Sequence, residues 1–493
     1  VPGWLAAVLL VFLPALAAES ADTPSPPNIV LIIADDMAWD DCGAYGNKLI
    51  KTPQLNRLAK EGMRFDNMIL TCSSCSPSRS SLITSRYPHN TGAEQLHWPL
   101  PKEQVTFVEH LRKAGYWTAA AGKWHLGNAV RDRFDVIHDV GTAGFQLPTD
   151  KGEGAKSKTK AKRAPDPNPS GAEAWVPTLK ERPKDKPFFL WLAAVDPHRD
   201  YAENVIPVPH RPEDVTVPPY LPDNAETRKD LALYYDEVSR LDDNVGKVMD
   251  EIAAQGVAEN TVVMFISDNG RPFPRCKTTV YDSGIKSPFF IRWPAKVQAN
   301  STSQSLLSSV DIAPTILEIA GVEIPKQFQG KSFLKVLTDP EARIRKVAFA
   351  EHNWHDFEAR SRSARTERFK YIRNEYTDLP NTPPADGVRS PTFQSMRKLR
   401  DDGKLNDVQS TCFTKPLPEE ELYDIQADPH ELKNLATDPK FAGEVEKLRG
   451  ALDAWKNQTH DETPVARTPD EFDRETGEPL PGRKRPRLPP AKN

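Results

Sequence analysis

The sequence predicts an α/β fold: a large domain with a mostly parallel central sheet flanked by helices, then a smaller α+β domain with an antiparallel sheet. Three observations predict it. The runs Asn28–Ala34, Pro187–Val195 and Thr261–Ile266 are almost continuously apolar, so each reads as a strand buried on both faces. Each is followed by a polar cluster, Asp35-Asp36, Asp196-Pro197-His198-Arg199 and Ser267-Asp268-Asn269-Gly270, where open α/β sheets place ligands. From about Lys346 the apolar runs become short and are separated by loops, the pattern of a small antiparallel domain.

The remaining elements follow in order. Thr52 caps a helix with Pro53 in its first turn, and Gly62 ends it. A helix near Val105–Ala114 precedes a strand at Trp117–Ala121. Ala225–Gln255 carries Leu231, Tyr234, Val238, Leu241, Val245, Val248 and Ile252 on one helical face, with its charges read as a solvated face. A strand at Phe289–Trp293 and a helix at Asp311–Ala320 complete the large domain. Short strands at Val347–Glu351 and Tyr371–Arg373 and a helix near Phe441–Trp455 make up the small one. The expected divisions are a leader at 1–18, a catalytic domain at 27–345, an α+β domain at 346–462, and a proline-rich, charged, disordered tail at 463–493.

Composition narrows the class. The net charge of −4 gives no footprint for nucleic acid. The 46 prolines among 493 residues are roughly twice the usual share, which fits long ordered loops. Trp4–Ala18 is apolar and ends in Ala15-Leu16-Ala17-Ala18, like a secretory leader, so the expected location is secreted or extracytoplasmic. Five cysteines are too few for disulfides to be the main staple. The lysine-rich stretch Asp150–Gly171 reads as a surface loop.

The chemistry centres on Cys72–Arg86, CSSCSPSRSSLITSR. Pro77 suits a first helical turn, which puts Cys75 near a helix N-terminus. Free N–H groups and the positive dipole end favour an anion there, and Arg79, four residues on, reaches the same spot. Cys72 and Cys75 also form a C-x-x-C, a redox pair or half a zinc site. Against that, no second C-x-x-C is present and the chain far exceeds a thioredoxin-like unit. Asp35, Asp36, Asp268 and Asn269 offer hard oxygens suited to Ca²⁺, less so to Mg²⁺, with no thiolate–imidazole cluster competing for zinc. Lys123 and His125 stand in Gly122-Lys123-Trp124-His125-Leu126-Gly127 at the end of a short strand. His198 is a candidate general acid. His352, Trp354 and His355 are weaker candidates for a sugar pocket.

Cys75-Ser76-Pro77-Ser78-Arg79 followed by Leu82, Thr84 and Arg86, with the GKWHLG and SDNG runs, resembles the signature of the type I sulfatases of the alkaline phosphatase superfamily. The resemblance runs from about residue 28 to 462. It implies an alkaline-phosphatase-like sandwich, and oxidation of Cys75 to formylglycine by a formylglycine-generating enzyme during maturation. The hydrated aldehyde is then the nucleophile. It further implies a calcium site at Asp35, Asp36, Asp268 and Asn269, with residue 75 touching the ion. Lys123 and Lys277 contact sulfate, Arg79 favours the ionised nucleophile, His125 orients residue 75 and aids sulfate release, and His198 protonates the leaving group.

Within the family, SDNGRPFP at Ser267–Pro274, SPTFQ at Ser390–Gln394 and DPHELKNLATDP at Asp428–Pro439 are most similar to the sulfamidase branch. That implies a sulfated carbohydrate substrate, N-sulfoglucosamine of the heparan type. Two positions depart from the pattern: Ser85 replaces the usual glycine, and Lys277 stands where sulfamidases carry arginine. The run Tyr281–Ile285 looks more like O-sulfatases, which keeps an O-sulfated glycan or aryl sulfate as the alternative. A phosphodiesterase or phosphonate hydrolase of the same superfamily, and a non-catalytic sulfated-glycan binding protein, are further alternatives.

Overall fold

The computed structural model describes residues 26–140 and 168–482. The leader, most of the lysine-rich stretch and the last residues of the chain lie outside them. No helix among the described residues is long and apolar enough to cross a membrane.

The large domain is built on one eight-stranded sheet. In chain order its strands are β1 (Asn28–Ala34), β2 (Met63–Phe65), β3 (Trp117–Gly122), β4 (Val136–Asp139), β5 (Phe188–Ala193), β6 (Thr261–Ser267), β7 (Phe289–Arg292) and β8 (Ser301–Ser303). Their order across the sheet is β8-β2-β7-β6-β1-β5-β3-β4. β7 pairs antiparallel with both neighbours, and every other pairing is parallel. β1 is central, and its side chains alternate between two apolar cores. Ile29, Leu31 and Ile33 enter one, and Val30, Ile32 and Ala34 enter the other. This two-sided burial is what the continuous apolar runs encode.

Helices α1 (Pro53–Glu61) and α3 (Ala225–Ala254) cover one face, where the predicted stripe from Leu231 to Ile252 joins the core of Val30 and Ile32. Helix α2 (Cys75–Thr84), with Phe107–Lys113 and Ile312–Ile319, covers the other. The C-terminal region carries a separate antiparallel sheet, β9 (Ala348–His352), β10 (Ser361–Arg365), β11 (Phe369–Asn374) and β12 (Glu420–Asp424). Helix α4 (Ala442–Thr459) packs on it through Val445, Leu448, Leu452 and Trp455.

Several local expectations need correction. Thr52 does not cap α1: its hydroxyl accepts from Gly43 N at 2.9 Å and points to Cys42. The cap is Asp242 of α3, whose carboxylate accepts from Gln54 N at 2.9 Å and Leu55 N at 2.7 Å. The acids of α3 are therefore not all a solvated face. Asp230 pairs with Arg199 at 2.7 Å and Asp236 with His210 at 2.7 Å, because a long loop crosses that side of the helix. Gly62 does end α1, but for closeness rather than a left-handed turn. A Cβ there would stand 2.2 Å from the Ile291 carbonyl oxygen of β7.

Residues 463–482, read as part of a disordered tail, fold back onto the domain. Trp354 Nε1 donates to Pro469 O at 3.0 Å, and Arg474 pairs with Asp470 at 2.7 Å and donates to Glu358 O. The charges that suggested disorder are used in these local pairs.

Removing the borrowed cap tests the packing of α1 on α3. Asp242→Ala leaves two N–H groups of α1 without their acceptor and should cost about 2 kcal/mol. Urea unfolding reads it, and an unchanged midpoint would show that the cap contributes nothing.

Candidate active site

Helix α2 begins at Cys75, with Pro77 in its first turn, and is buried along its whole length. It ends at Ser85 in the left-handed region, φ 53°. This explains the departure from the usual glycine. Serine accepts the strained backbone because its hydroxyl donates to Val310 O at 2.6 Å and accepts from Gly330 N at 3.1 Å.

The carboxyl ends of β1, β3 and β6 lie at one edge of the sheet, since β1 pairs in parallel with β6 and with β5, and β5 with β3. They deliver Asp35 and Asp36, Lys123, and Asp268 and Asn269 to the start of α2. Gly122, at φ 96°, lets β3 close against β5 just before Lys123: a Cβ there would meet the Ala193 carbonyl oxygen at 1.8 Å.

The charged groups interlock. Lys123 Nζ pairs with Asp35. Lys277 Nζ reaches Asp36 at 2.7 Å. Arg79 donates through Nε to Asp268 at 2.8 Å, and its Nη2 lies 2.7 Å from the same carboxylate. Asn269 Nδ2 donates to Asp36, and Cys75 Sγ lies 3.9 Å from Asp36 Oδ1. All of these side chains are at most 2% exposed. Burial opposes ionisation of Asp35, yet Lys123, His198 and Arg79 hold its carboxyl far below the usual range. Burial and the adjacent Asp35 push Asp268 up to about 7 despite Arg79.

The oxygen set fits a hard divalent cation. Oxygens of Asp35, Asp36 and Asp268 lie within 4.8 Å of one another. Asp35 Oδ1 and Asn269 Oδ1 are buried without a hydrogen-bond partner, which native structures rarely tolerate unless something binds there. With three carboxylates and three basic groups in the layer, a divalent ion would leave a net positive field suited to an anionic group. The sequence reading of no thiolate–imidazole cluster is corrected in one respect: Asp35, Cys75 and His198 also come within 4.8 Å. Their distance along the chain hid this. The two groups share Asp35, and the buried unpartnered oxygen of Asn269 beside Asp36 adds a further hard donor to the carboxylate set.

Above this layer is a cleft of about 340 Å³ whose walls include Cys75, His125, His198 and Lys277. His198 is 13% exposed, with Nε2 3.8 Å from Asp386 and 3.9 Å from Asp36, and Nδ1 at the Arg199 carbonyl. His125 pairs through Nε2 with His97 Nδ1 at 2.8 Å. Burial, with Lys123 and His97 beside it, keeps its imidazole neutral by lowering it well below the ordinary value. All ten site residues named from sequence thus converge on one place.

His355 lines the cleft and bonds Ser74 Oγ at 2.7 Å, whereas His352 and Trp354 are not among its walls. His97, Asp386, Arg389 and Phe472 were missed. They are single residues on loops and a short helix, with no strand end or motif to mark them. The C-x-x-C is not a disulfide: Cys72 and Cys75 are both free, and burial pushes both thiols well up, opposite to an activated redox thiolate.

Comparison with known proteins places most of the chain among related sequences and folds. Residues 27–322 match the family described as Sulfatase, and residues 275–410 match the one described as N-sulphoglucosamine sulphohydrolase, C-terminal. A Formosa agariphila protein named Ulvan-active sulfatase is 31% identical, covering 88% of this chain and 75% of that protein. The Homo sapiens N-sulphoglucosamine sulphohydrolase is 31% identical over 88% of this chain and 91% of its own length. Among solved structures, a protein in complex with its substrate D-glucosamine-2-N,6-O-disulfate superposes with a TM-score of 0.66. It is 22% identical and covers 89% of this chain and 99% of that one; the likeness shows the shared fold.

The metal fit is testable without turnover. Ca²⁺ added to chelator-treated protein should raise Tm by several degrees, because binding to the native state alone stabilises it. Asn269→Ala should remove most of that rise, and an equal rise in both proteins would place the ion elsewhere.

Proposed function

Because the chain belongs to the sulfatase family, we propose that it hydrolyses sulfate from a sulfated carbohydrate, with N-sulfoglucosamine as the favoured substrate. One observation carries the reaction: Cys75 opens a buried helix, faces a cleft, and is ringed by Lys123, Lys277 and Arg79. The match over residues 275–410 and the 31% identity to a protein named N-sulphoglucosamine sulphohydrolase support the N-sulfated sugar. Lys277 and the likeness to an ulvan-active enzyme favour the second reading, an O-sulfated glycan.

Position 75 calls for modification, because a buried neutral thiol is a weak nucleophile. Formylglycine there would supply a hydrated aldehyde, whose second hydroxyl lets the bound sulfate be expelled. Calcium held by Asp35, Asp36, Asp268 and Asn269, in contact with residue 75, would supply Lewis acidity toward a sulfate oxygen.

The chain's own groups do the rest. Lys123 and Lys277 are held by Asp35 and Asp36 beside residue 75, so their charges would stabilise the sulfuryl oxygens without reorganisation. Arg79 holds Asp268 in place and adds positive charge beside residue 75. His198 donates its Nδ1 proton to the Arg199 carbonyl, which turns Nε2 into the cleft to protonate the departing nitrogen or oxygen. His125, kept neutral, receives a proton in the second half of the reaction.

Sulfate release should be measured from N-sulfoglucosamine, glucosamine 6-O-sulfate and an aryl sulfate, with position 75 checked by peptide mass. Release from the N-sulfated sugar is expected. Release from O-sulfates alone would replace the substrate but keep the reaction. Cys75→Ser, which has no second hydroxyl, should lose turnover by about three orders of magnitude or more. Full activity in that variant would overturn the nucleophile.

A further inference from the structure

Two grooves away from the catalytic cleft share a wall. The first, of about 500 Å³, is bordered by Trp39, Arg64, Lys286, Arg343 and Arg365, with Asp66 and Glu367 among them. The second, of about 810 Å³, is bordered by Arg343, Arg345, Lys331 and Lys346, with Tyr87 and Trp455. Arg343 borders both, so the grooves are neighbours, and the second runs along α4 at Ala451, Ala454 and Trp455. None of these residues lines the catalytic cleft.

The arginines have acid partners: Arg64 with Asp66, Arg343 with Glu367, Arg345 with Asp311, and Arg365 with Asp282. Lys331 and Lys346 have none among the described residues. Lys286 Nζ stands 3.8 Å from the ring centre of Trp39, and burial lowers its pKa to about 8 although Asp282 and Asp66 favour its charge. Of the residues bordering the second groove none is acidic, while Gln329 and Gln458 offer amides. Unanswered cations, amide groups and aromatic walls are the combination that binds a chain with both anionic groups and hydroxyls.

We propose that the second groove, with the first beside it, forms a track for a sulfated polysaccharide, holding a polymer outside the catalytic cleft. The choice of a sulfated carbohydrate rests on the function proposed above. The track would anchor long substrates and leave small ones unaffected.

The test uses the full chain and a heparin-derived sulfated hexasaccharide, with binding read by calorimetry and turnover by release from an aryl sulfate. Lys331→Ala with Lys346→Ala, both exposed, should weaken hexasaccharide binding about fivefold and leave aryl sulfate turnover unchanged. A control pair on another surface, Lys180→Ala with Lys184→Ala, should leave both unchanged. Unaltered binding in the first variant, an equal loss in the control, or equal affinity for an unsulfated hexasaccharide would each overturn the track. Lysine-dependent binding by a chain that releases no sulfate would support the track while failing the proposed reaction.

Discussion

The structure depends on burying three carboxylates and three cations in one layer. Asp35, Asp36 and Asp268 face Lys123, Lys277 and Arg79, all almost without solvent exposure. Such charges are tolerable only when each is paired and hydrogen-bonded, so the groups hold one another in place. This needs rigid supports, and the sheet supplies them: each acid stands at the end of a strand whose side chains enter apolar cores on both faces. The two orphaned oxygens of Asp35 and Asn269 are the part of the layer that the chain alone leaves incomplete.

The C-terminal region closes the site from above. The backbone of Glu351 in β9 donates to Thr71 O at 2.8 Å, next to the segment that leads into α2. His355, Asp386, Arg389 and Phe472 then form the outer wall of the cleft. The buried charges and the outer wall therefore come from different regions of the chain. The buried charges stand at strand ends of the large sheet, on α2 and on the loop that carries Lys277, whereas part of the outer wall comes from later residues.

Strain is present where the site needs it. Asp36, at φ 74°, turns sharply after β1 so that its carboxylate can meet Lys277 and Asn269. Aspartate tolerates that region better than most residues. At Ser85 the strain is offset by two hydrogen bonds of the hydroxyl.

The sequence by itself determined the sheet, the helices over it and the residues of the buried layer. Strands buried on both faces are continuous apolar runs, and in an open α/β sheet the polar residues after them mark the site. The same local signals led to errors where a partner is distant. Nothing near Thr52 reveals that Asp242 caps α1, and nothing near residue 470 reveals that Asp470 accepts from the backbone of Glu358, far earlier in the chain. Only the tertiary structure decided the outer wall of the cleft and the lysines left without acids. Those depend on which loops fold back over the sheet, and no periodicity or local propensity encodes that.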